Sequence, residues 1–195
     1  MTDRTHPAQR RRPPLPGTRA QRRRIAEMVR VDHAGEYGAV TIYRGQRAVF
    51  GALPHKSRIA AQLREMEVEE QHHLDAFDDL VLAGRTHRPT ALAPVWNLAG
   101  TALGAGTALL GERAAHACTE AVETVIEEHY GDQVEELRAM GEDELADLFA
   151  RFREEELAHR DTAIEEGARD TPGHGLLTGL IKAGCRLAIK VSEKL

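Results

Sequence analysis

The sequence has few aromatic residues and very little cysteine. Aromatic side chains make up 4% of the 195 residues, whereas hydrophobic residues as a whole make up 42%. This balance fits a helical bundle better than a β-sandwich or barrel, and the length suits one domain with a substantial core. The two cysteines, Cys118 and Cys185, have no metal-ligand spacing and indicate small apolar residues in a reducing compartment rather than a disulfide framework.

The sequence also has no secretory hydrophobic segment and no excess of positive charge. The formal net charge of −5 gives no reason to expect nucleic-acid binding. An uncharged stretch that contains the 18 residues 94–111 is rich in small residues, mainly glycine and alanine. These 18 residues are fewer than the roughly 20 apolar residues that a membrane-spanning helix needs. Two alternatives stay open, a fully buried core helix and a helix lying on or partly in a bilayer.

Residues 1–24 differ from the rest of the chain, with eight arginines, four prolines and a single acidic residue. This composition predicts a disordered basic tail in front of a folded domain at residues 25–195. The functional alternative is attraction to an anionic membrane surface. A mitochondrial targeting segment is a further alternative, although the prolines disfavour the amphipathic helix that it requires.

The most informative feature is a Glu-x-x-His motif inside a predicted helix. Leu145, Phe149 and Phe152 form an apolar stripe at three- and four-residue steps, and the stripe continues into Glu156 and His159. A carboxylate and an imidazole three residues apart on a helix can reach one point in space. Burying both without a partner is costly, and a metal ion is one such partner.

The motif occurs twice, and each copy is preceded by a lone glutamate on another helical stripe. Glu36 precedes Glu70 by 34 residues and Glu123 precedes Glu156 by 33. A glutamate from each of two helices and a Glu-x-x-His motif from each of two others form the ligand set of ferritin-like di-iron or di-manganese proteins. The sequence therefore predicts two metal ions held by Glu36, Glu70, His73, Glu123, Glu156 and His159.

Other polar residues lie close to this set in sequence. Glu69 competes with Glu70, because Glu69 and His73 form an i,i+4 pair, but the match with the second motif favours Glu70. Asp32, one turn before Glu36, is either a residue that supports a ligand or an exposed helix acid. His33 lies off the ligand face and is not expected to bind metal.

Two residues of the third bundle helix are candidates for a role beside the metal ligands. Tyr130 lies two turns after Glu123, so it either bonds a ligand carboxylate and relays a proton or electron, or is a satisfied core tyrosine. His129 points partly away from that face and is a weaker candidate.

The predicted fold is all-α, a ferritin-like four-helix bundle with two additional helices. The bundle helices are expected at about residues 20–50, 57–82, 112–140 and 142–166, with an extra apolar helix between the second and third. The C-terminal residues 176–191 predict an amphipathic helix that packs on the bundle or lies at an anionic bilayer surface. Its basic residues Lys182, Arg186 and Lys190 lie opposite Leu180, Ala183, Leu187 and Val191.

Longer motifs resemble those of the demethoxyubiquinone hydroxylases, the di-iron enzymes of a late ring hydroxylation in ubiquinone biosynthesis. The resemblance covers roughly residues 25–195. It rests on residues 30–39 (RVDHAGEYGA), Trp96-Asn97, 102–111 (ALGAGTALLG), 117–119 (ACT), 121–123 (AVE), His129-Tyr130, 155–157 (EEL) with His159, and 183–186 (AGCR).

The resemblance implies that the same six residues are iron ligands. It further implies that Glu123 bridges or caps the iron pair together with Glu36, and that Tyr130 and His129 lie just outside the ligands. Two ferrous ions held in this way leave open positions for dioxygen. The implied reaction is hydroxylation of a demethoxyquinol ring, with electrons from NADH, a reductase or the quinol itself.

The implied substrate is a polyprenylated quinol drawn from a bilayer, which suits the apolar stretch 94–111 and the basic C-terminal helix. A peripheral protein is expected, on the cytoplasmic face of a bacterial inner membrane or, alternatively, the matrix face of the mitochondrial inner membrane. Partners from ubiquinone biosynthesis or further copies of the chain are expected, and nucleic acid is not. The alternatives are a ferritin-like iron store or peroxide scavenger, and a bundle without enzymatic activity.

Overall fold

The computed structural model describes residues 16–86 and 91–194, and within these ranges it contains six α-helices and no strand. The prediction of an all-α, ferritin-like bundle is confirmed. The helices are α1 (Pro16–Gly51), α2 (Ser57–Leu82), α3 (Ala93–Leu109), α4 (Glu112–Ala139), α5 (Asp143–Glu165) and α6 (His174–Ser192). Two short 3₁₀ turns, Pro54–Lys56 and Ala168–Asp170, connect neighbouring helices.

The four bundle helices are α1, α2, α4 and α5, and their apolar faces form two clusters. One cluster is rich in aromatic rings and includes Phe77, Tyr130, Phe149 and Phe152, while the other includes Tyr43, Phe50, Ile59, Leu63 and Met66. The predicted metal ligands lie along the helices between these clusters. The core therefore closes off the middle of the bundle from both ends.

Helix α1 begins at Pro16, earlier than the expected start near residue 20. Its first turns include residues assigned above to a basic tail, and Arg24 binds Glu136 of α4 through two nitrogens at 2.9 and 3.0 Å. Residues 1–15 lie outside the described part of the chain. The division into a tail at 1–24 and a domain at 25–195 stays a prediction.

Helix α3 packs closely against α1, and glycine makes this approach possible. The Thr41 hydroxyl oxygen lies where a side chain at Gly100 would begin, with the Gly38 carbonyl oxygen 2.9 Å from that point, and the Ile42 carbonyl oxygen lies where one at Gly104 would begin. Of the two alternatives that the sequence left open, a fully buried core helix does not apply, because part of the surface of α3 is exposed. Its outer face carries the exposed side chains of Val95, Leu98 and Leu109, and Leu110 follows at the helix end.

Helix α6 packs on α4 through a different face from the one that the sequence suggested. Ile181 joins a buried cluster with Cys118 and Val122 of α4, whereas Leu180 and Leu187 of the predicted apolar stripe are exposed. The end of α6 is tied to α1, since the Arg30 guanidinium donates to the carbonyl oxygens of Ser192 and Glu193. Over residues 16–86 and 91–194, no helix combines the length and apolarity needed to cross a membrane.

The contact between α1 and α3 predicts different outcomes for two glycines of α3. Gly104→Ala would place its Cβ against the backbone of Ile42 and is expected to lower the free energy of unfolding by about 1–3 kcal/mol. Gly106→Ala is the matched control, because open space surrounds that position and alanine gains about 0.5–1 kcal/mol in a helix. Urea denaturation measures both, and equal stability of the two variants would contradict the packing described here.

Candidate metal centre

All six predicted ligands are brought together in the middle of the bundle. The lone glutamates come from α1 and α4, and the two Glu-x-x-His motifs come from α2 and α5. Each of the six side chains is at most 4% exposed: Glu36, Glu70, His73, Glu123, Glu156 and His159. The apolar stripes identified in the sequence turn these side chains inward, since each ligand occupies a core position of its helix.

The six residues form two overlapping groups, each with ligand atoms within 4.8 Å of one another. One group contains Glu36 and His73, the other contains Glu123 and His159, and both contain Glu70 and Glu156. The Nδ1 atom of His73 lies 3.1 Å from a Glu156 oxygen. The Nδ1 atom of His159 lies 3.0 Å from a Glu70 oxygen. Two adjacent positions that share two carboxylates suit a pair of metal ions.

The hydrogen bonding of these residues is incomplete in a way that fits metal ligation. Buried polar atoms are normally paired, because an unpaired one is costly. Here eight buried atoms of the six residues lack a hydrogen bond of good geometry: one oxygen each of Glu36 and Glu123, both oxygens of Glu70 and Glu156, and the Nδ1 atoms of His73 and His159. Carboxylate oxygens with imidazole nitrogens are ligands that iron and manganese accept in such bundles.

The electrostatics of the cluster show that positive charge is needed at its centre. Burial raises the pKa of Glu36 to about 8, and burial with the charges of Glu156 and Glu70 raises the pKa of Glu123 well above its usual range. Burial opposes charge on His159 as well, but its contacts with Glu156 and Glu70 raise its pKa to about 12. Without metal, protons on the imidazoles balance the carboxylates, so metal binding must displace protons.

Two tyrosines bond the lone glutamates, and each tyrosine bonds the glutamate of the other helix. Tyr130 of α4 donates its phenol proton to Glu36 of α1, and Tyr43 of α1 donates to Glu123 of α4 at 2.7 Å. The sequence singled out Tyr130 but missed Tyr43. The signal was available, because each tyrosine follows a lone glutamate of its own helix by seven residues.

Asp32 and His129 belong to a neighbouring buried network. Asp32 is buried rather than exposed, and its Oδ1 atom lies 3.2 Å from His129 Nε2 and accepts from Gln133 Nε2 at 3.0 Å. His33 bonds Asp78 at 2.9 Å and stays off the ligand cluster, as expected. The network lies one turn from Glu36 on α1, and a role of His129 in catalysis stays a prediction.

The competition between Glu69 and Glu70 is resolved by the geometry. Glu70 is fully buried and its oxygens face the cluster, whereas the side chain of Glu69 is 58% exposed and bonds the outer nitrogen of His159 at 2.6 Å. Glu155 bonds the outer nitrogen of His73 in the same manner at 2.5 Å. The sequence reasoning gave Glu155 no role, although it precedes Glu156 as Glu69 precedes Glu70.

The bundle and its six buried carboxylate and histidine residues define a ferritin-like protein with two adjacent groups of side chains that could each hold a metal ion. The chain belongs to the family described as ubiquinone biosynthesis protein COQ7, which it matches over residues 23–192. It is 51% identical over 182 residues to the 3-demethoxyubiquinol 3-hydroxylase of Rhodospirillum rubrum, covering 92% of this chain and 82% of the relative.

Two mammalian relatives share nearly as much of the chain. The relative from Rattus norvegicus is 47% identical over 175 residues, or 87% of this chain and 77% of its own. The one from Homo sapiens is 46% identical over 176 residues, or 88% and 78%. Both are named NADPH-dependent 3-demethoxyubiquinone 3-hydroxylase, mitochondrial. The resemblance read from the sequence is confirmed.

The burial of Glu123 predicts that this residue destabilises the metal-free protein. The pKa of Glu123 is raised in the folded protein. The resulting loss in the free energy of unfolding is therefore absent below the pKa of an unfolded glutamate, about 4.3, and grows as the pH rises through that value. Glu123→Gln should therefore stabilise the metal-free protein by about 0.5–2 kcal/mol at pH 7 and less at pH 4.5. Urea denaturation at both pH values measures this.

The matched control for that experiment is Glu135→Gln, because Glu135 is an exposed glutamate on the same helix. It should change the stability little at either pH. A Glu123→Gln variant no more stable than this control would show that the glutamate carries no burial penalty.

Proposed function

We propose that this protein is a di-iron monooxygenase that uses O2 to hydroxylate the ring of a polyprenylated demethoxyquinol in ubiquinone biosynthesis. The observation that carries the proposal is the pair of buried ligand groups sharing Glu70 and Glu156, in a chain of this family. The names of the relatives supply the substrate class. A ferritin-like iron or peroxide-handling protein is the alternative, because it would use the same ligand set.

The six residues divide naturally between two iron ions. Glu36 with His73 would hold one ion, Glu123 with His159 would hold the other, and Glu70 and Glu156 face both. Glu123 enters only one group, which favours a capping role for it over the bridging role that the resemblance left open. When bound, a reduced iron pair supplies the activation of dioxygen that insertion of an oxygen atom into a ring requires.

The residues of the chain that surround the ligands orient them and exclude water. Burial raises the pKa of both Tyr130 and Tyr43 well above the usual value, so each phenol keeps the proton that it donates to Glu36 or Glu123. The ring of Phe152 packs on His73 with ring centres 4.3 Å apart. A dry, shaped cavity and fixed ligands are what a protein contributes to metal-assisted oxidation.

The electrons are proposed to come from a reduced nicotinamide dinucleotide, since the mammalian relatives are named NADPH-dependent. An open cleft of about 1210 Å³ lined by basic side chains is a candidate site for this donor. Arg19, Arg22, Arg23, Arg85 and Lys194 are among the residues that line it, with Glu27 and Glu193 as the opposing charges. Such an excess of guanidinium groups suits the phosphates of a dinucleotide.

The reaction is tested with iron-loaded protein in detergent, a demethoxyquinol, NADPH or NADH, and O2. Two irons per chain and a product heavier by one oxygen atom are expected. Glu156→Gln removes a ligand common to both groups and should lower iron content and turnover by at least about a hundred-fold. Glu154→Gln, an exposed neighbour, is the control and should change neither.

Other outcomes of that assay point elsewhere. Two bound irons with rapid peroxide consumption and no hydroxylated product would favour the iron or peroxide-handling alternative. An iron-free wild type, even after anaerobic reconstitution, would contradict both metal-dependent functions.

We further propose that the protein binds a membrane surface peripherally, where a polyprenylated quinol is available. Leu103 of α3 and Leu177 of α6 pack against one buried cluster, so the two helices cover the same side of the bundle. The two helices and the residue after α3 also carry exposed apolar side chains, which we propose form one apolar face: Val95, Leu98, Leu109, Leu110, Leu176, Leu180 and Leu187. A face of this kind marks a membrane or protein interaction site.

The membrane in question would be a bacterial inner membrane on its cytoplasmic face, or the mitochondrial inner membrane on its matrix face. The names of the mammalian relatives place those proteins in mitochondria. A protein of ubiquinone biosynthesis or a second copy of this chain could cover part of the same apolar face.

Membrane binding is tested by replacing two exposed leucines of α6. Leu180→Asp with Leu187→Asp should lower the binding to anionic phospholipid vesicles about ten-fold or more, because two apolar side chains no longer enter the lipid. Leu82→Asp is the control, since Leu82 is 83% exposed but lies outside the apolar face. Co-sedimentation measures binding, and unchanged binding with a loss of self-association would assign the face to a second copy of the chain.

A further inference from the structure

Each histidine of the ligand cluster uses its two nitrogens for different purposes. The Nδ1 atoms of His73 and His159 face the buried carboxylates, as described above. The Nε2 atoms face outward, where His73 meets Glu155 at 2.5 Å and His159 meets Glu69 at 2.6 Å. The glutamate side chains are 55% and 58% exposed, so each histidine joins the buried cluster to a carboxylate at the surface.

These contacts run between helices, not along them. Glu69 is four residues before His73 on α2, a spacing that permits a contact within the helix, yet it bonds His159 of α5. Glu155 is likewise four residues before His159 but bonds His73 of α2. The two outer carboxylates therefore cross over between α2 and α5 on opposite sides of the cluster.

We propose that Glu69 and Glu155 are positioning residues of the metal centre, each of which orients the ligand histidine of the opposite helix. A neutral imidazole that donates its Nε2 proton to a carboxylate keeps a lone pair on Nδ1, and the bond also fixes the ring orientation. Glu69 thus prepares His159 for the group that includes Glu123. Glu155 prepares His73 for the group that includes Glu36. This proposal rests on the metal centre proposed above.

The carboxylate charge is the property that matters in this arrangement. A charged acceptor makes a shorter and stronger hydrogen bond than a neutral one and increases the basicity of the ligand nitrogen. Glutamine keeps the size of the side chain but loses the charge, and its amide can also donate to Nε2, which would place the proton on Nδ1. Because both side chains are largely exposed, the substitution leaves the core packing unchanged.

The test measures metal binding by the variants Glu69→Gln and Glu155→Gln. Anaerobic titration of the metal-free proteins with Co²⁺, followed by visible absorption, reports the affinity of each position without relying on turnover. Each variant should weaken one of the two positions about 10–100-fold and leave the other near its wild-type affinity. Glu65→Gln and Glu154→Gln, exposed glutamates on the same helices, are the matched controls and should bind as wild type.

The crosswise assignment is tested by combining these variants with loss of one histidine. In a His159→Ala background, where the position containing His73 remains, Glu155→Gln should still weaken binding and Glu69→Gln should have no further effect. In a His73→Ala background the two glutamates should exchange roles. Pairing within each helix would give the reverse pattern and overturn the proposal.

Unfolding experiments on the metal-free variants separate a positioning role from a merely structural one. Variants with wild-type stability and weakened metal binding support the proposal. Variants with lower stability and wild-type metal affinity overturn it, since the contacts would then serve only to join α2 and α5. Failure of the wild type to bind two ions would instead count against the proposed function, so the two failures are distinguishable.

Discussion

The burial of four carboxylates and two imidazoles between two apolar clusters is the constraint on which the rest of the structure depends. Such a set is stable only when positive charge is present among the carboxylates, as protons on His73 and His159 or as metal ions. The raised pKa values of Glu36 and Glu123 reflect the unfavourable side of this arrangement. Glu36 and Glu123 thus lower the stability of the metal-free protein, whereas contacts with His159 and His73 hold the pKa of Glu70 below its usual value despite its burial.

The two halves of the bundle, α1 with α2 and α4 with α5, hold their cluster residues by the same arrangement of contacts. Glu36 and Glu123 are 87 residues apart, as are Tyr43 and Tyr130, while Glu69 and Glu155 are 86 apart, as are Glu70 and Glu156. In every supporting contact a residue of one half holds a ligand of the other half. Each half therefore depends on the other for the orientation of its cluster residues, which couples assembly of the bundle to assembly of the cluster.

The fold and the six cluster residues could be predicted from the sequence because both follow from the spacing along single helices. Apolar periodicity gives the helices, and polar residues that interrupt a stripe give the cluster. The partners of Tyr43 and Glu155 could not be predicted in this way, since they depend on the register between helices. Glu69 illustrates the limit: its spacing to His73 was recognised, but its bond goes to another helix.

The faces of α3 and α6 were harder to predict, because apolar residues on both helices extend beyond the face that packs on the bundle. Leu180 and Ile181 are adjacent and both apolar, and only the position of α4 decides that Ile181 is the buried one. A helix that is apolar beyond its packing face has a surplus that the core does not use. The exposed apolar side chains of α3 and α6 are therefore the feature that a simple four-helix bundle would not have.

The exposed apolar side chains of α3 belong to a helix that contacts α1 close to one residue of the ligand cluster. The close contact between α3 and α1 includes Gly38, two residues after Glu36, and Asn97 of α3 donates to the phenol oxygen of Tyr37 at 3.1 Å. The exposed leucines of α3 and a ligand of the cluster thus lie on either side of one helix contact. For the membrane binding and the metal centre proposed above, the contact between α3 and α1 is therefore the part of the bundle that separates a lipid-borne quinol at the apolar face from the ligand cluster.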